Sequence, residues 1–187
     1  MLNVQLPLAL SEATALKTYG AEVNELTALA YTLRRGKDGN PFLRFAARGE
    51  GGLLERELLP VRVSRSMSEQ DVEQLKVSLL AQCKEKGAVL IGPFISSGER
   101  RILKAAMESE VSVIFLAQFD ISDESKVPLV LMPALRKGRC LLLAPWPQMP
   151  VENYFMRSRC QLLNKITETL ANRKTLPLFY KKELVKS

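Results

Sequence analysis

The sequence predicts an α/β fold, in which helices cover both faces of a mostly parallel sheet and an antiparallel β appendage lies at the N-terminus. Residues 87–119 read as a strand, a loop, a helix and a second strand, which is the pattern of a right-handed βαβ unit. Another strand–loop–helix pattern precedes this segment. Residues 2–48 read instead as extended segments and a hairpin, with turn residues between the arms.

The predicted appendage covers residues 1–52 and contains a hairpin. After an extended run and a short helical pattern, residues 24–48 read as two arms joined by a turn at 36–40, where glycines allow positive φ. Both arms carry arginines, at Arg34, Arg35, Arg44 and Arg48. Such a hairpin could face nucleic acid, but positive charge also keeps edge strands from pairing, and we favour the second interpretation. Residues 49–52 are predicted to form a flexible joint.

The predicted α/β domain, residues 53–173, begins with a strand, a loop and a helix. These lie at 58–63, 64–66 and about 69–86. Ser66 with Glu69 would form a capping box that sets the start of this helix, and Ser68 with Asp71 is the alternative. Either assignment leaves Arg65 in the loop at the carboxyl end of the strand.

The central unit supplies the candidate anion site. Its strand, loop, helix and second strand are predicted at 88–91, 92–98, 99–108 and 111–116. The loop ends at a helix start, where unpaired N–H groups and the positive end of the helix dipole favour an anion. Gly92 and Gly98 have no side chains to block the approach, and Ser96 and Ser97 offer hydroxyl donors. We therefore expect a phosphate group to bind here.

The remaining residues complete the domain and add a basic tail. The predicted elements are a polar loop at 118–126, an ambiguous apolar piece at 127–135, a strand at 139–143, a helix at about 152–172 and the tail at 174–187. Trp146 follows the last strand at the carboxyl edge of the sheet. Its ring could stack on a base, but such a tryptophan more often packs beneath a helix, and we favour packing. Arg157 and Arg159 lie near the start of the final helix.

The composition limits the kinds of functional site and partner that the chain can have. The net charge of +7 and the pI of about 9.5 favour a polyanionic partner, with nucleic acid ahead of an anionic membrane. The chain has no histidine, which removes histidine-based nucleophile sites and histidine-ligated zinc. Cys83, Cys140 and Cys160 lack metal-binding spacing and are expected to be reduced core thiols, which suits a cytoplasmic protein. We expect neither secretion nor a membrane partner.

Several motifs follow one another between residues 64 and 164. They are Ser64-Arg65-Ser66, GPFISSGE at 92–99, VSVIFL at 111–116, LLLAPWPQMP at 141–150 and ENYFMRSRCQLLN at 152–164. This succession resembles the DprA/Smf family of DNA-processing proteins. In that family a Rossmann-like domain carries a G-S-R type first loop, a glycine-bounded second loop and a late F-x-x-R-N-R segment. Short stand-alone relatives with an I-S-P-G-E loop and an L-L-L-A-P-W run are more similar still.

The resemblance covers about residues 58–171 and has departures. Gly98-Glu99-Arg100 stands where long-form relatives have Gly-Ile-Asp, and Ala144-Pro145-Trp146 replaces an S-E-Y-P element. The P-G-G-x-G-T-x-x-E motif of nucleotide hydrolases with the same fold is missing. Glu99 is read as a charge at a helix N-terminus and not as a general acid. The resemblance implies binding of single-stranded DNA and, less directly, a part in recombination.

We therefore expect a non-enzymatic, cytoplasmic, DprA-like protein that binds single-stranded DNA at the carboxyl edge of a Rossmann-like sheet. The candidate phosphate- or nucleic-acid-binding residues are Ser64, Arg65, Ser66, Gly92, Ser96, Ser97, Gly98, Arg100, Trp146, Arg157 and Arg159. No catalytic residue, metal or cofactor is predicted. A small-nucleotide sensor with the same loops, and a protein-interaction module that uses the hairpin or the tail, stay open as alternatives. A nucleotide hydrolase, a homodimer and a recombination protein as partner stay open too.

Overall fold

The computed structural model describes residues 2–146, 157–173 and 183–184. Its strands are β1 (Leu2–Pro7), β2 (Leu33–Arg35), β3 (Pro41–Gly49), β4 (Leu58–Pro60), β5 (Val89–Gly92), β6 (Val113–Leu116), β7 (Cys140–Ala144) and β8 (Glu183–Leu184). Its helices are α1 (Leu10–Glu22), α2 (Leu26–Thr32), α3 (Glu69–Lys86), α4 (Ser97–Glu108), α5 (Met132–Arg136) and α6 (Arg157–Ala171). Short 3₁₀ helices lie at Gly51–Glu55, Glu124–Lys126 and Leu129–Leu131. The predicted helix start at 152–156 and most of the predicted tail lie outside the described residues.

All described strands belong to one mixed sheet. Its order is β4-β5-β6-β7-β3-β1-β8, and β2 pairs with β3 beside this path. The four strands from β4 to β7 are parallel, which confirms the predicted parallel core. The antiparallel part is also confirmed, and it extends the same sheet because β3 pairs with β7 from Ala46↔Ala144 to Gly49↔Leu141.

Helices cover both faces of the sheet, as the sequence predicts. Successive side chains of a strand point to opposite faces, and in β5 Val89 and Ile91 join one buried cluster while Leu90 joins the other. The first cluster contains residues of α1, α2 and α6. The second contains residues of α3, α4 and α5. The parallel strands are thus buried on both sides, which explains their unbroken apolar sequences.

Helix α3 has the bounds that its sequence predicts, because both of its ends are marked by capping residues. The backbone N–H of Asp71 donates to Ser68 Oγ over 3.1 Å, and the N–H of Ser68 donates to Asp71 Oδ2 over 3.1 Å. This is the second of the two predicted capping boxes. Hydrogen bonds from Ser68 lower the pKa of Asp71. The helix ends at Gly87, which has a left-handed φ of 67°.

The predicted hairpin at 24–48 is wrong in its first arm. Residues 26–32 form α2, and only Leu33–Arg35 form a strand, which pairs with Pro41–Leu43. Ala28, Leu29 and Thr32 are buried, and their spacing places them on one face of a helix. The predicted turn is confirmed, with the N–H of Gly36 donating to the carbonyl of Asn40 over 2.9 Å.

Other elements differ from their predictions in smaller ways. The strand predicted at 58–63 is limited to Leu58–Pro60, and the ambiguous piece at 127–135 is helical. The predicted joint at 49–52 instead continues β3 and begins a 3₁₀ helix. Gly49 has a φ of 112°, and a Cβ there would lie 2.2 Å from the carbonyl oxygen of Cys140. No helix among residues 2–146 and 157–173 is long and apolar enough to cross a membrane.

Candidate nucleic-acid interface

The two predicted binding loops lie side by side at the carboxyl edge of the parallel strands. They are the first loop, residues 64–66 after β4, and the second loop, defined as residues 92–98 from the end of β5 into the first residues of α4. Because β4 and β5 are neighbouring parallel strands, both loops leave the sheet at the same edge. The backbone N–H of Val63 donates to Glu99 Oε1 over 3.2 Å, which joins the base of the first loop to the start of α4.

The first loop presents an arginine between two serines. Ser64 Oγ lies 2.8 Å from Ser66 Oγ, and the N–H of Ser66 donates to Ser64 Oγ over 3.3 Å. This local turn leaves all three side chains exposed. Arg65 has no hydrogen bond or ion pair within the described parts of the chain. The first loop therefore presents an exposed guanidinium group to a ligand.

The second loop is closed by a carboxylate of its own helix. Glu99 Oε2 accepts hydrogen bonds from the N–H of Ile95 over 2.7 Å and from the N–H of Ser96 over 2.9 Å. The N–H of Glu99 in turn donates to Ser96 Oγ over 3.2 Å. Together with the bond from Val63, the Glu99 carboxylate accepts three backbone hydrogen bonds, and Glu99 is only 4% exposed.

This arrangement corrects the predicted anion site. Two of the N–H groups that were expected to receive a phosphate, those of Ile95 and Ser96, already donate to Glu99, so this part of the loop backbone is not open to an anion. Ser96 is the N-cap of α4, and its oxygen serves the helix, although its own hydrogen can still be donated. The signal was present in the sequence, since Ser96 and Glu99 have the spacing of a capping box.

The two glycines of the second loop serve close packing. A Cβ at Gly98 would lie 2.7 Å from Val63 Cγ1, so α4 can approach the chain beyond β4 only without a side chain there. A Cβ at Gly92 would lie 3.2 Å from the carbonyl oxygen of Val61. Both glycines are buried. They hold the two loops together and do not line an open approach to a ligand.

The exposed part of the second loop is the start of α4. Ser97 is the first residue of the helix, and Arg100 lies one turn further along. Both are exposed, and no ion pair of Arg100 occurs in the described residues. The neighbouring Arg101 differs, because its guanidinium lies 3.6 Å from the carboxylate of Glu69. Arg100 is thus the unneutralised cation of this helix start.

Arg159 and Trp146 are buried together, on the side of the sheet opposite α4. Arg159 Nε donates to Glu25 Oε2 over 2.9 Å, and Ser158 Oγ donates to Glu25 Oε1 over 2.6 Å. The guanidinium carbon of Arg159 lies 5.5 Å from the ring centroid of Trp146, which is 1% exposed. Arg159 therefore pairs with Glu25 in the interior and is not exposed, and Trp146 packs in the core as we favoured.

Arg157 is the third exposed arginine among the predicted site residues. It is the first described residue of α6, and no partner for it is seen in the described residues. Phe155, which belongs to the same motif, lies outside the described residues. Of the predicted arginines, Arg65, Arg100 and Arg157 are thus exposed, whereas Arg159 is not.

Two buried polar groups lie beyond the ends of β6 and β7. Gln118 Oε1 and Trp146 Nε1 have no hydrogen-bond partner in the described structure. Burial raises the pKa of the Cys160 thiol, and a hydrogen bond from the Gln118 side chain partly opposes this. No group of three or more potential metal ligands occurs in the described parts of the chain. The exposed polar groups of the two loops and of the start of α4 are arginine and serine side chains, which suit contacts with phosphate.

Comparison with known proteins agrees with this fold. No family model matches the chain, and no curated protein matches its sequence significantly. A solved structure of DNA processing protein A (DprA) from Streptococcus pneumoniae superposes with a TM-score of 0.50 and 14% sequence identity. The chain has a DprA-like fold. The superposition covers 68% of this chain and 44% of the S. pneumoniae protein, so the matched part is less than half of that DprA. The fold implied by the DprA/Smf motifs is thereby confirmed.

Proposed function

We propose that this protein binds single-stranded DNA, with little sequence preference, along the carboxyl edge of its parallel strands. The observation that carries the proposal is the pair of exposed arginines Arg65, in the first loop, and Arg100, in the first turn of α4, without acidic partners in the described residues. Arg157 at the start of α6 is proposed to add a third cation. These side chains contact phosphates, whose arrangement does not depend on the base sequence.

The proposed mode differs from capture of a phosphate by the backbone of a loop. Because Glu99 accepts two N–H groups of the second loop, the proposal assigns the affinity to side chains at its rim. Ser64, Ser66 and Ser97 are exposed beside the arginines and can donate hydroxyl hydrogen bonds to phosphate oxygens. A site built of separate exposed cations fits an extended strand, whose charges are spread along its length.

The DprA-like fold supports this assignment. The S. pneumoniae protein with the similar structure is named DNA processing protein A, and the net charge of +7 gives the chain an overall attraction to a polyanion. A role in DNA processing or recombination would follow from such binding. The proposal assigns no catalytic residue and needs no cofactor.

A small-nucleotide sensor is the weaker alternative. Such a sensor would hold its phosphates with the N–H groups of the second loop, and Glu99 competes for two of these donors. Mononucleotides added to the DNA-binding assay separate the two functions. If ATP, GTP or a cyclic nucleotide displaces DNA at concentrations that leave the ionic strength unchanged, the protein is a small-nucleotide sensor and the proposal of DNA binding is contradicted.

The test is fluorescence anisotropy of a labelled oligothymidine with paired variants. Arg65→Ala/Arg100→Ala removes the two unpaired cations. Arg101→Ala/Lys104→Ala removes two cations of α4 that pair with Glu69 of α3 and Glu108 of α4. Both variants lose the same charge. We expect the first to lower the salt dependence of binding by about 1.4 in slope, at roughly 0.7 for each phosphate, and the second to change it little. Equal losses in both variants would assign the effect to net charge and contradict the proposed site.

A further inference from the structure

Strands β1, β2 and β3 form an antiparallel ribbon, and one of its faces, called the uncovered face, carries described side chains that are not buried. Val4 and Leu6 of β1 and Leu43 and Phe45 of β3 point to one side and are buried with residues of α1 and α2. The other side carries Asn3, Gln5, Arg34, Phe42 and Arg44, which share a face because they are cross-strand partners or two residues apart. None of these five residues is buried.

The uncovered face is positively charged. Arg34 and Arg44 are exposed, and neither forms an ion pair in the part of the chain that the structure describes. The three strands contain no aspartate or glutamate. Arg48 lies further along the same face, but it pairs with Glu124 and is excluded from the proposed surface. The neighbouring strand β8 adds Glu183 opposite Asn3, at the other end of the ribbon from Arg34. Arg34 and Arg44 are thus the two unpaired cations that β1, β2 and β3 themselves contribute to this face.

Protection of a sheet edge does not explain both arginines. Arg44 is on β3, which lies inside the sheet, although Arg44 itself pairs only with β1, because β2 reaches Leu43 and β7 begins opposite Ala46. The gap between β2 and β7 is too short to receive another strand, so Arg44 has little edge to protect. Only Arg34, on the outer strand β2, is explained in that way.

The uncovered face and the first loop of the proposed function lie beyond the same edge of one sheet, with β5, β6 and β7 between them. Ala46 is level with Ala144, the last residue of β7, and it packs against the buried cluster that includes α4. Arg44 and Phe42 lie two and four residues beyond Ala46 on the same face, which places them about 7 and 14 Å past the end of β7 at roughly 3.4 Å per residue. They extend beyond the same edge, and on the same side of the sheet, as Arg65 and Arg100.

We propose that the uncovered face of the ribbon is a second contact surface for single-stranded DNA, continuing the strand held at the loops. Arg34 and Arg44 bind phosphates, and a base stacks on the half-buried ring of Phe42. The amides of Asn3 and Gln5 lie beside them and can bond to base edges or sugars. This inference rests on the proposed function. A single strand suits the surface because its unpaired bases are available to an aromatic side chain, whereas those of a duplex are stacked.

The ribbon offers its own matched control. Arg35 follows Arg34 in sequence, and because successive side chains of a strand alternate it points to the opposite face. Lys17 of α1 lines the same cleft as β2. Arg34→Ala/Arg44→Ala and Lys17→Ala/Arg35→Ala therefore remove equal charge from opposite sides of one ribbon. Thermal unfolding of each variant establishes that it folds, which is expected because all four side chains are exposed.

The experiment measures binding of a labelled oligothymidine across a salt series. The Arg34/Arg44 variant is expected to lower the slope by about 1.4, at roughly 0.7 for each phosphate, and the control to leave it unchanged. Phe42→Ala is expected to weaken binding about tenfold or more, and Phe42→Leu to weaken it similarly because a leucine cannot stack. If only the Arg65/Arg100 variant loses affinity, the ribbon inference is overturned and the proposed function stands. If the wild-type protein binds no oligonucleotide, or binds only anionic vesicles through Arg34 and Arg44, both are overturned.

Discussion

Arg159 Nε donates to Glu25 Oε2 over 2.9 Å, and the two side chains are each 6% exposed. This ion pair connects the start of α2 with the start of α6, which are 134 residues apart in sequence. The Arg159 guanidinium also covers the ring of Trp146. The N-terminal segment and the last described helix are thus joined through buried charge.

Breaking this pair should destabilise the protein strongly. Arg159→Met leaves the Glu25 carboxylate buried without a countercharge, a change that typically costs about 3–5 kcal/mol. The double variant Glu25→Gln/Arg159→Met should lose less, because no charge is left unpaired. Urea unfolding followed by circular dichroism measures both. A loss in the single variant no larger than in the double variant would contradict the buried pair.

Replacing Glu99 should open the site that it now fills. Glu99→Ala leaves the N–H groups of Val63, Ile95 and Ser96 without their acceptor, and we expect a loss of about 2–4 kcal/mol in the free energy of unfolding. Sulfate can occupy the vacated position at the helix N-terminus. It should therefore raise the Tm of Glu99→Ala more than that of the wild type. Glu108→Ala, on the exposed end of the same helix, is the control, and an equal sulfate effect in all three proteins would refute this role of Glu99.

Gly98 should not accept even a methyl group. Gly98→Ala places a Cβ 2.7 Å from Val63 Cγ1, and the resulting displacement should cost about 1–3 kcal/mol, although alanine is the better helix former. Val63→Ala in the same chain should recover most of the loss. Chemical denaturation of the two single variants and the double variant measures this coupling. A Gly98→Ala variant as stable as the wild type would show that α4 does not press against Val63.

Local signals explain which parts of the fold could be predicted. The bounds of α3 follow from Ser68, Asp71 and Gly87, which act within one turn of each helix end. The parallel strands follow from short apolar runs separated by helix-length segments. The prediction of a strand in the first arm of the hairpin was wrong because α2 is short and its helical state depends on packing of Ala28 and Leu29 against distant residues.

The site was predicted less completely for a similar reason. Arg65 and Arg100 were identified because their loops follow the strand ends, which is a local property. The role of Arg159 could not be seen, because Glu25 approaches it only in the folded chain. The exposure of Arg44 could not be predicted either, because it depends on which face of the ribbon the helices pack against. Glu99 is different, because its capping-box spacing with Ser96 is visible in the sequence. That spacing did not lead to the expectation that the Glu99 carboxylate would accept N–H groups of the anion site.

The buried cysteines should be unreactive in the native protein. Burial raises the pKa of Cys83 to about 11 and that of Cys140 to about 12, above the ordinary value of 9.0. Folding thus favours the protonated thiols. Their contribution to stability is complete below about pH 9 and is lost as the pH rises through about 11 for Cys83 and about 12 for Cys140. Thiol labelling at mildly alkaline pH should modify Cys83 and Cys140 only on unfolding, and rapid labelling of either in the native state would contradict their burial.

Binding of a labelled oligothymidine to the wild-type protein over a salt series tests the central claim most directly. The three exposed arginines of the loops and α6 predict a slope of log affinity against log salt of about −2, and the two arginines of the ribbon bring it to about −3.5. Mononucleotides at matched ionic strength should not compete. No binding at low salt, or binding that salt does not weaken, would contradict the assignment of this edge of the sheet to single-stranded DNA.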